Sequence, residues 1–205
     1  MTRVSASVLS VKPKELRQTA LKLEKAGIDE IHFDFMDGEF VPAKTSGHEL
    51  AAQIKTHIPV SAHLMARRPH ELIKPFEDAG ATEIIIHYEP FGNLKELQKC
   101  LAQIRVKKGI SINPGTPVSK IAGLAGKVDS LLIMSVHPGK GGREFIEATL
   151  PKIREAKKAG FKNVIVDGGV NDTNAKRIRE AGADTLVSGT YLLKDPLKNS
   201  EKLRA

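Results

Sequence analysis

The chain has 205 residues, one cysteine, two tyrosines, seven phenylalanines and no tryptophan, and its 32 lysines and arginines against 24 acidic residues leave a formal net charge of +8. That length suits one well-buried domain; the lone cysteine excludes an internal disulfide, and no apolar run approaches the length of a membrane span. The basic residues are dispersed in short groups such as Lys157-Lys158 and aromatics are sparse, so neither nucleic acid nor membrane is an expected partner, and an anionic small substrate accounts for the charge more simply.

The first ten residues, MTRVSASVLS, lack the sustained apolar stretch of a signal peptide, and a soluble cytoplasmic protein is expected. From there, short apolar runs alternate with amphipathic stretches. A predicted strand over 4–9 is followed by a helix over 13–26, strand 30–35 by helix 47–56, strand 59–64 by helix 69–79, and strand 82–88 by helix 93–106. Strand 109–113 is followed by helix 117–125, strand 130–136 by 146–159, strand 163–168 by 171–181, and strand 184–189 by a short helix near 196–204. Cys100 sits among Leu94, Leu97, Leu101 and Ile104 at helical spacing and reads as a core residue. Ala-Gly pairs at Ala26-Gly27, Ala79-Gly80, Ala159-Gly160 and Ala181-Gly182 read as left-handed helix caps. Strand-helix units repeated about eight times predict an α/β fold, a single-domain TIM (β/α)8 barrel over residues 1–205, with a doubly wound open sheet as the alternative.

Four polar residues stand out because they close apolar strands: His32 and Asp34 in EIHFDF, His63 in PVSAHLM, and Asp167 in NVIVDGG. His32 and Asp34 are two apart and share a strand face. Alone they read better as a hydrogen-bonded core pair. If the strands belong to one parallel barrel, however, their C-terminal ends converge, and imidazole and carboxylate groups gathered there suit a divalent transition ion. Two carboxylates at one centre also suit removal and return of a proton.

A second group follows the last three strands: His137-Pro138-Gly139-Lys140-Gly141-Gly142, Asp167-Gly168-Gly169 and Ser188-Gly189-Thr190. Any one Gly-Gly pair is ordinarily a turn. Glycine loops on neighbouring strand ends let backbone N–H groups approach an anion, at the habitual phosphate position of this barrel.

These residues and strings resemble the ribulose-phosphate 3-epimerase family over nearly the whole chain. The resemblance runs through Ser7-Val8-Leu9-Ser10, Ile31 to Pro42 with its specific Met36-Asp37-Gly38-Glu39-Phe40-Val41-Pro42, Ala62-His63-Leu64-Met65 and His87-Tyr88-Glu89. It continues in Asn113-Pro114-Gly115-Thr116-Pro117, Met134 to Gly139, Val166 to Val170 and Ser188-Gly189-Thr190. It implies one divalent ion per chain on His32, Asp34, His63 and Asp167, with zinc expected and iron, manganese or cobalt as alternatives. It implies Asp34 and Asp167 as the two acid/bases. Ser7 and His63 would meet a phosphorylated ketose, Met36, Met65 and Met134 would line the reacting centre, and Gly139, Lys140, Gly141, Gly142, Gly168, Gly169, Gly189 and Thr190 would hold the phosphate. A homo-oligomer is expected.

The chain departs from the family pattern after the sixth strand, where His137, Lys140 and Arg143 replace the usual Asn, Phe and Gln of Asn-Pro-Gly-Phe-Gly-Gly-Gln. Two positive charges thereby enter a loop expected to close over substrate. The expected reaction is interconversion of D-ribulose 5-phosphate and D-xylulose 5-phosphate, with allulose 6-phosphate as the alternative substrate. Two readings from other classes are a catalytically silent phosphate-binding barrel, against which both aspartates count, and a basic RNA-associated protein.

Overall fold

The computed structural model describes residues 2–205. Eight parallel strands close into a barrel in sequence order: β1 Arg3–Ser7, β2 Glu30–Met36, β3 Val60–Met65, β4 Glu83–His87, β5 Lys107–Ile112, β6 Ser130–Met134, β7 Val164–Asp167 and β8 Thr185–Ser188, with β8 pairing back to β1. Closure decides between the two expected architectures in favour of the TIM barrel. Successive strand residues face opposite sides of the sheet, so each strand contributes to two separate cores. The outward set, including Phe33, Leu64, Ile84, Ile110, Ile133 and Val166, packs under the helices. The inward set makes a smaller apolar plug of Ile85, Leu132, Met134, Val136, Ile165 and Val187.

The barrel interior is polar on the side of β1 to β3. There Glu30 Oε1 accepts hydrogen bonds of 2.9 Å from Ser5 Oγ and Ser61 Oγ, and Arg3 reaches Oε2 at 3.5 Å. Across the interior floor, Glu83 accepts from Ser130, and burial pushes its carboxyl above the usual range. Gly109 makes room for that pair, since a Cβ there would lie 2.6 Å from Ser130 Oγ and 2.7 Å from Ile85 Cγ1.

Among the described residues, eight α-helices dress the barrel: α1 Leu16–Lys25, α2 His48–Ala51, α3 Ile73–Asp78, α4 Leu94–Leu101, α5 Leu150–Lys158, α6 Ala175–Glu180, α7 Thr190–Lys194 and α8 Pro196–Arg204. The glycines of the four Ala-Gly pairs all take positive φ, and each closes its helix with a six-to-one bond such as Ile28 N–H to Leu23 O and Ala81 N–H to Phe76 O. Cys100 is buried in α4, as expected.

Several predicted helices are shorter or different in kind. The segment 117–125 is two 3-10 turns, Val118–Lys120 and Ala122–Leu124. Its buried residues, Val118, Ile121 and Leu124, recur every third position, which matches three residues per turn rather than 3.6. The predicted helix 47–56 stops at Ala51, and Glu24 on α1 instead takes Thr56 Oγ1 and the His57 N–H. In 171–181 only Ala175–Glu180 is helical, because Asn171 Oδ1 accepts from Thr173 N–H and Asn174 Oδ1 from Asn171 N–H, a local turn that competes with the first helical turn. Helix α7, only five residues long, is absent from the sequence reading. No helix among the described residues is long and apolar enough to cross a membrane.

Candidate active site

Strands β2 and β3 run on to Met36 and Met65, so His32 and His63 lie mid-strand, a layer below the rim, and not at the strand ends where the sequence reading put them. Register sets Asp34 beside His63, Met36 beside Met65 and Met134 beside Asp167. The inward side chains then stack in order along β2: Glu30 at the bottom, His32, Asp34, and Met36 at the mouth. His32, Asp34, His63 and Asp167 converge as expected, each offering one ligand atom within 4.8 Å of the others.

The distances suit one small cation. His63 Nδ1 lies 3.1 Å from Asp34 Oδ1 and 3.8 Å from Asp167 Oδ2, and His32 Nε2 lies 3.5 and 3.8 Å from the same two oxygens. The edge of a tetrahedron with ligands about 2.0–2.1 Å from its centre is about 3.4 Å. His32 supplies an independent sign, because its buried Nε2 has no hydrogen-bond partner. Its other nitrogen, Nδ1, is 3.0 Å from Ser61 Oγ, whose own hydrogen is committed to Glu30. That oxygen is free to accept Nδ1–H, which leaves the Nε2 lone pair aimed into the cluster, the arrangement a metal-binding imidazole requires.

Without an ion, the charges reorganise around the same centre. Burial opposes a charge on His32, but the Asp34 carboxylate, then Asp167 and Glu30, outweigh it and raise its pKa to about 9. Burial, with His87 and His32 nearby, outweighs the Asp34 bond and pushes His63 down to about 4. For Asp34, burial is overcome by the charges and hydrogen bonds of His32 and His63, which hold it well below the usual carboxylate range. Asp167 goes the other way, since burial and then the charge of Asp34 push it up to about 7. The two carboxylates are thus driven apart, Asp34 toward the ionised form and Asp167 toward the protonated one, and protonated His32 stands where a metal would supply positive charge.

A pH prediction follows for the metal-free protein. His32 should titrate near pH 9 rather than near 6.5, read from its ring-proton shifts by NMR. Because its folded pKa is raised, its contribution to the metal-free fold is full below about 6.5 and is lost as pH rises through about 9. Titration at the ordinary value would contradict the picture of a cation-seeking centre.

Above the four residues opens a cavity of about 650 Å³. Ser7, Asp34, Met36, Met65, Met134 and Asp167 line its floor, and all three methionines are buried. Ser7 Oγ donates to Asp34 Oδ2 at 2.7 Å, fixing the carboxylate and leaving the hydroxyl at the cavity edge. His63, expected to meet substrate as well, is fully buried and turned toward Asp34 and His87 beneath the floor. The far wall is formed by Gly139, Lys140, Gly141, Gly142, Gly168, Gly169, Gly189 and Thr190, so every expected phosphate-loop position reaches the cavity.

Two of those glycines have a further reason to be there. A Cβ on Gly168 would lie 2.5 Å from Val136 Cγ2, and one on Gly169 would lie 2.5 Å from the Phe145 nitrogen. Their bareness lets the loop after β7 pack against the loop after β6, and Ser135 Oγ ties the two by donating to Gly168 O at 2.7 Å. The Met-Asp-Gly-x-Phe-Val-Pro string supports the floor from behind, with Met36 its one residue on the cavity. Asp37 accepts from Glu39, Phe40 and Arg67 N–H, and Val41 packs on Met36 and Met65.

The ribulose-phosphate 3-epimerase family model matches residues 3–193. The chain belongs to that family. It is 38% identical to the ribulose-phosphate 3-epimerase of Bacillus subtilis, covering 93% of this chain and 91% of the relative. It is 34% identical to the Escherichia coli K12 enzyme of that name, covering 94% and 89%. The chloroplastic ribulose-5-phosphate-3-epimerase of Arabidopsis thaliana is 39% identical over 91% of this chain and 70% of the relative. Among solved structures, the tryptophan synthase α-subunit of Pyrococcus furiosus superposes with a TM-score of 0.69 at 16% identity, covering 99% of this chain and 97% of that one. At that identity the likeness speaks for the barrel alone.

Sequence reading missed the residues behind the four: Ser61 and Glu30 behind His32, and His87 and Glu89 behind His63. Their signal was the period of two, which places Glu30, His32 and Asp34 on one face and Ser61 and His63 on the face beside it.

Proposed function

We propose that the protein is a metal-dependent ketose-phosphate 3-epimerase that interconverts D-ribulose 5-phosphate and D-xylulose 5-phosphate. The observation that carries this reading is the pair of carboxylates, Asp34 and Asp167, that meet on the cavity floor within one cluster with His32 and His63. Inversion at a carbon beside a ketone needs a proton to leave one face and another to arrive on the opposite face. Asp34, held ionised by the two histidines and aimed by Ser7, takes the C3 proton. Asp167, the second carboxylate of the floor, acts as the acid and delivers a proton to the other face, and the roles exchange in the reverse direction.

His32, Asp34, His63 and Asp167 would hold one divalent ion, and their nitrogen and oxygen donors suit zinc, with iron, manganese and cobalt as alternatives. When bound, such an ion supplies the Lewis acidity that neutralises the negative oxygens of an enediolate. Met36, Met65 and Met134 keep the floor apolar, which withholds water from the carbanion-like centre. The glycine loops would receive the phosphate. The reading puts the enzyme in the cytoplasm as a homo-oligomer, in keeping with the family. A coupled assay of the purified protein over a panel of ketose phosphates tests it; turnover of hexulose phosphates in preference to pentulose phosphates would replace the substrate.

Lys140 and Arg143 favour tight phosphate binding. Both are exposed and both line the cavity. Lys140→Phe, which restores the family-like residue, is expected to raise KM with a smaller change in kcat, because the phosphate lies remote from C3 and its binding is largely uniform between ground and transition states. The effect should shrink as salt rises, given a screening length of about 10 Å at about 0.1 M. An unchanged or lower KM at low salt would make the substitution one of loop closure or substrate size.

A further inference from the structure

Behind His63 runs a line of hydrogen-bonding groups that the proposed chemistry does not use. His63 Nε2 is 2.9 Å from His87 Nε2, and His87 Nδ1 is 3.0 Å from Glu89 Oε2. At the near end, His63 Nδ1 is 3.1 Å from Asp34 Oδ1. Both imidazoles are fully buried, and the Phe40 ring lies over His87 with centroids 4.8 Å apart. The line therefore has a carboxylate at each end and two rings between.

Two neutral imidazoles carry two N–H groups, but the line has three gaps to fill: Asp34 to His63, His63 to His87, and His87 to Glu89. One gap must face lone pair to lone pair. If both protons sit at the Glu89 side, His87 donates Nδ1–H to Glu89, His63 donates Nε2–H to His87, and the empty gap is the one between His63 Nδ1 and Asp34. That is the one gap a cation can fill. Glu89 is well fixed for this part, since its other oxygen accepts from Asn113 N–H at 2.7 Å and Thr116 Oγ1 at 2.6 Å.

We infer that Glu89 and His87 form a tautomer relay that turns the Nδ1 lone pair of His63 toward the metal position. They are positioning residues, His87 one link and Glu89 two links behind the ligand His63, and they act through N–H polarity alone. The inference rests on the reading of His32, Asp34, His63 and Asp167 as a metal-ligand set. It separates the work of the two histidines: Ser61 and Glu30 hold the tautomer of His32, and His87 and Glu89 hold that of His63.

Glu89→Gln inverts the relay with almost no change of shape. The oxygen facing Asn113 N–H and Thr116 must stay an acceptor, so the amide nitrogen turns to His87 and donates to its Nδ1. His87 must then carry Nε2–H, His63 Nε2 must accept it, and the remaining proton goes to His63 Nδ1, pointing into the ligand set. Loss of such outer partners typically weakens metal binding about ten- to a hundredfold.

The test titrates zinc ion into the metal-stripped full chain, wild type and Glu89→Gln, in competition with a fluorescent chelator. Imidazole nitrogen shifts of the histidine-labelled proteins are read by NMR in parallel, with the thermal midpoint of each metal-free form. The expected result is zinc binding to the wild type with His87 as Nδ1–H, and binding about ten- to a hundredfold weaker in Glu89→Gln at a similar metal-free midpoint, with His63 as Nδ1–H. Equal zinc affinities in the two proteins would overturn the relay alone. So would Nε2–H on His87 in the zinc-loaded wild type, a reading that needs no variant to fold, or an affinity loss that merely follows a fallen midpoint. A wild type that binds no zinc, manganese or cobalt would overturn the ligand-set reading and the relay with it.

Discussion

Asp34→Asn and Asp167→Asn are each expected to lower turnover at least about a hundredfold, the low end of what a positioned acid or base contributes. Asparagine matches aspartate in shape, and at position 34 its oxygen can still accept from Ser7 Oγ, which now bonds Asp34 Oδ2 at 2.7 Å. What it removes is the ability to take and return a proton. The two variants should differ in their other effects. Both belong to the ligand set, so the loss of either should weaken retention of a divalent ion, and Asp34, at 3.1 and 3.5 Å from the histidine nitrogens against 3.8 Å for Asp167, should lose more of it. Metal content measured on the same preparations as kcat separates the two contributions. Near wild-type epimerisation by either variant would end the two-base assignment.

Removal of the metal is expected to abolish activity and leave the fold intact. A donor set of two imidazoles and two carboxylates, with the cross-pair nitrogen-to-oxygen separations spanning 3.1 to 3.8 Å, suits about one divalent ion per chain. When that ion is taken away, His32 can hold a proton in its place, so the two carboxylates keep a positive neighbour and the barrel has no reason to open. Dialysis against a chelator should therefore stop turnover while circular dichroism is preserved, and re-addition of the ion should restore the rate. A fully active protein shown by elemental analysis to be metal-free would leave His32 and His63 as hydrogen-bond donors to the substrate oxygens instead.

Much of this site was legible in the sequence because a parallel barrel turns strand ends into neighbours. His32, Asp34, His63 and Asp167 are far apart in the chain, yet each interrupts an apolar, β-branched run, and a polar group there has few reasons to exist other than convergence. The strands themselves were legible for the same reason, and their predicted bounds differ from the observed ones only at the ends. What stayed hidden was depth. Reading His32 and His63 as strand-end residues placed them at the rim, whereas β2 and β3 continue to Met36 and Met65 and sink both histidines below the cavity floor.

The supporting residues were hidden because each is unremarked alone. Glu30, Ser61 and His87 acquire meaning from partners on other strands, and Glu89 from His87, two residues before it. Helix bounds failed for a different reason. At Asn171 and Asn174 side chains outbid the backbone for hydrogen bonds, and at Val118, Ile121 and Leu124 the burial repeat is three, which a search for helical amphipathicity smooths into 3.6. The glycine pair at Gly168 and Gly169 was read for anion binding, and the structure adds that their missing side chains let two site loops touch.

The most direct test of the account follows D-ribulose 5-phosphate with the metal-loaded protein in deuterium oxide by proton NMR. Two carboxylates on opposite faces, exchanging with solvent between turnovers, predict D-xylulose 5-phosphate that carries solvent deuterium at C3, with the C3 proton signal of the product absent from its first appearance. Product that retains the substrate's own C3 proton, or no conversion of the pentulose phosphate at all, would contradict it.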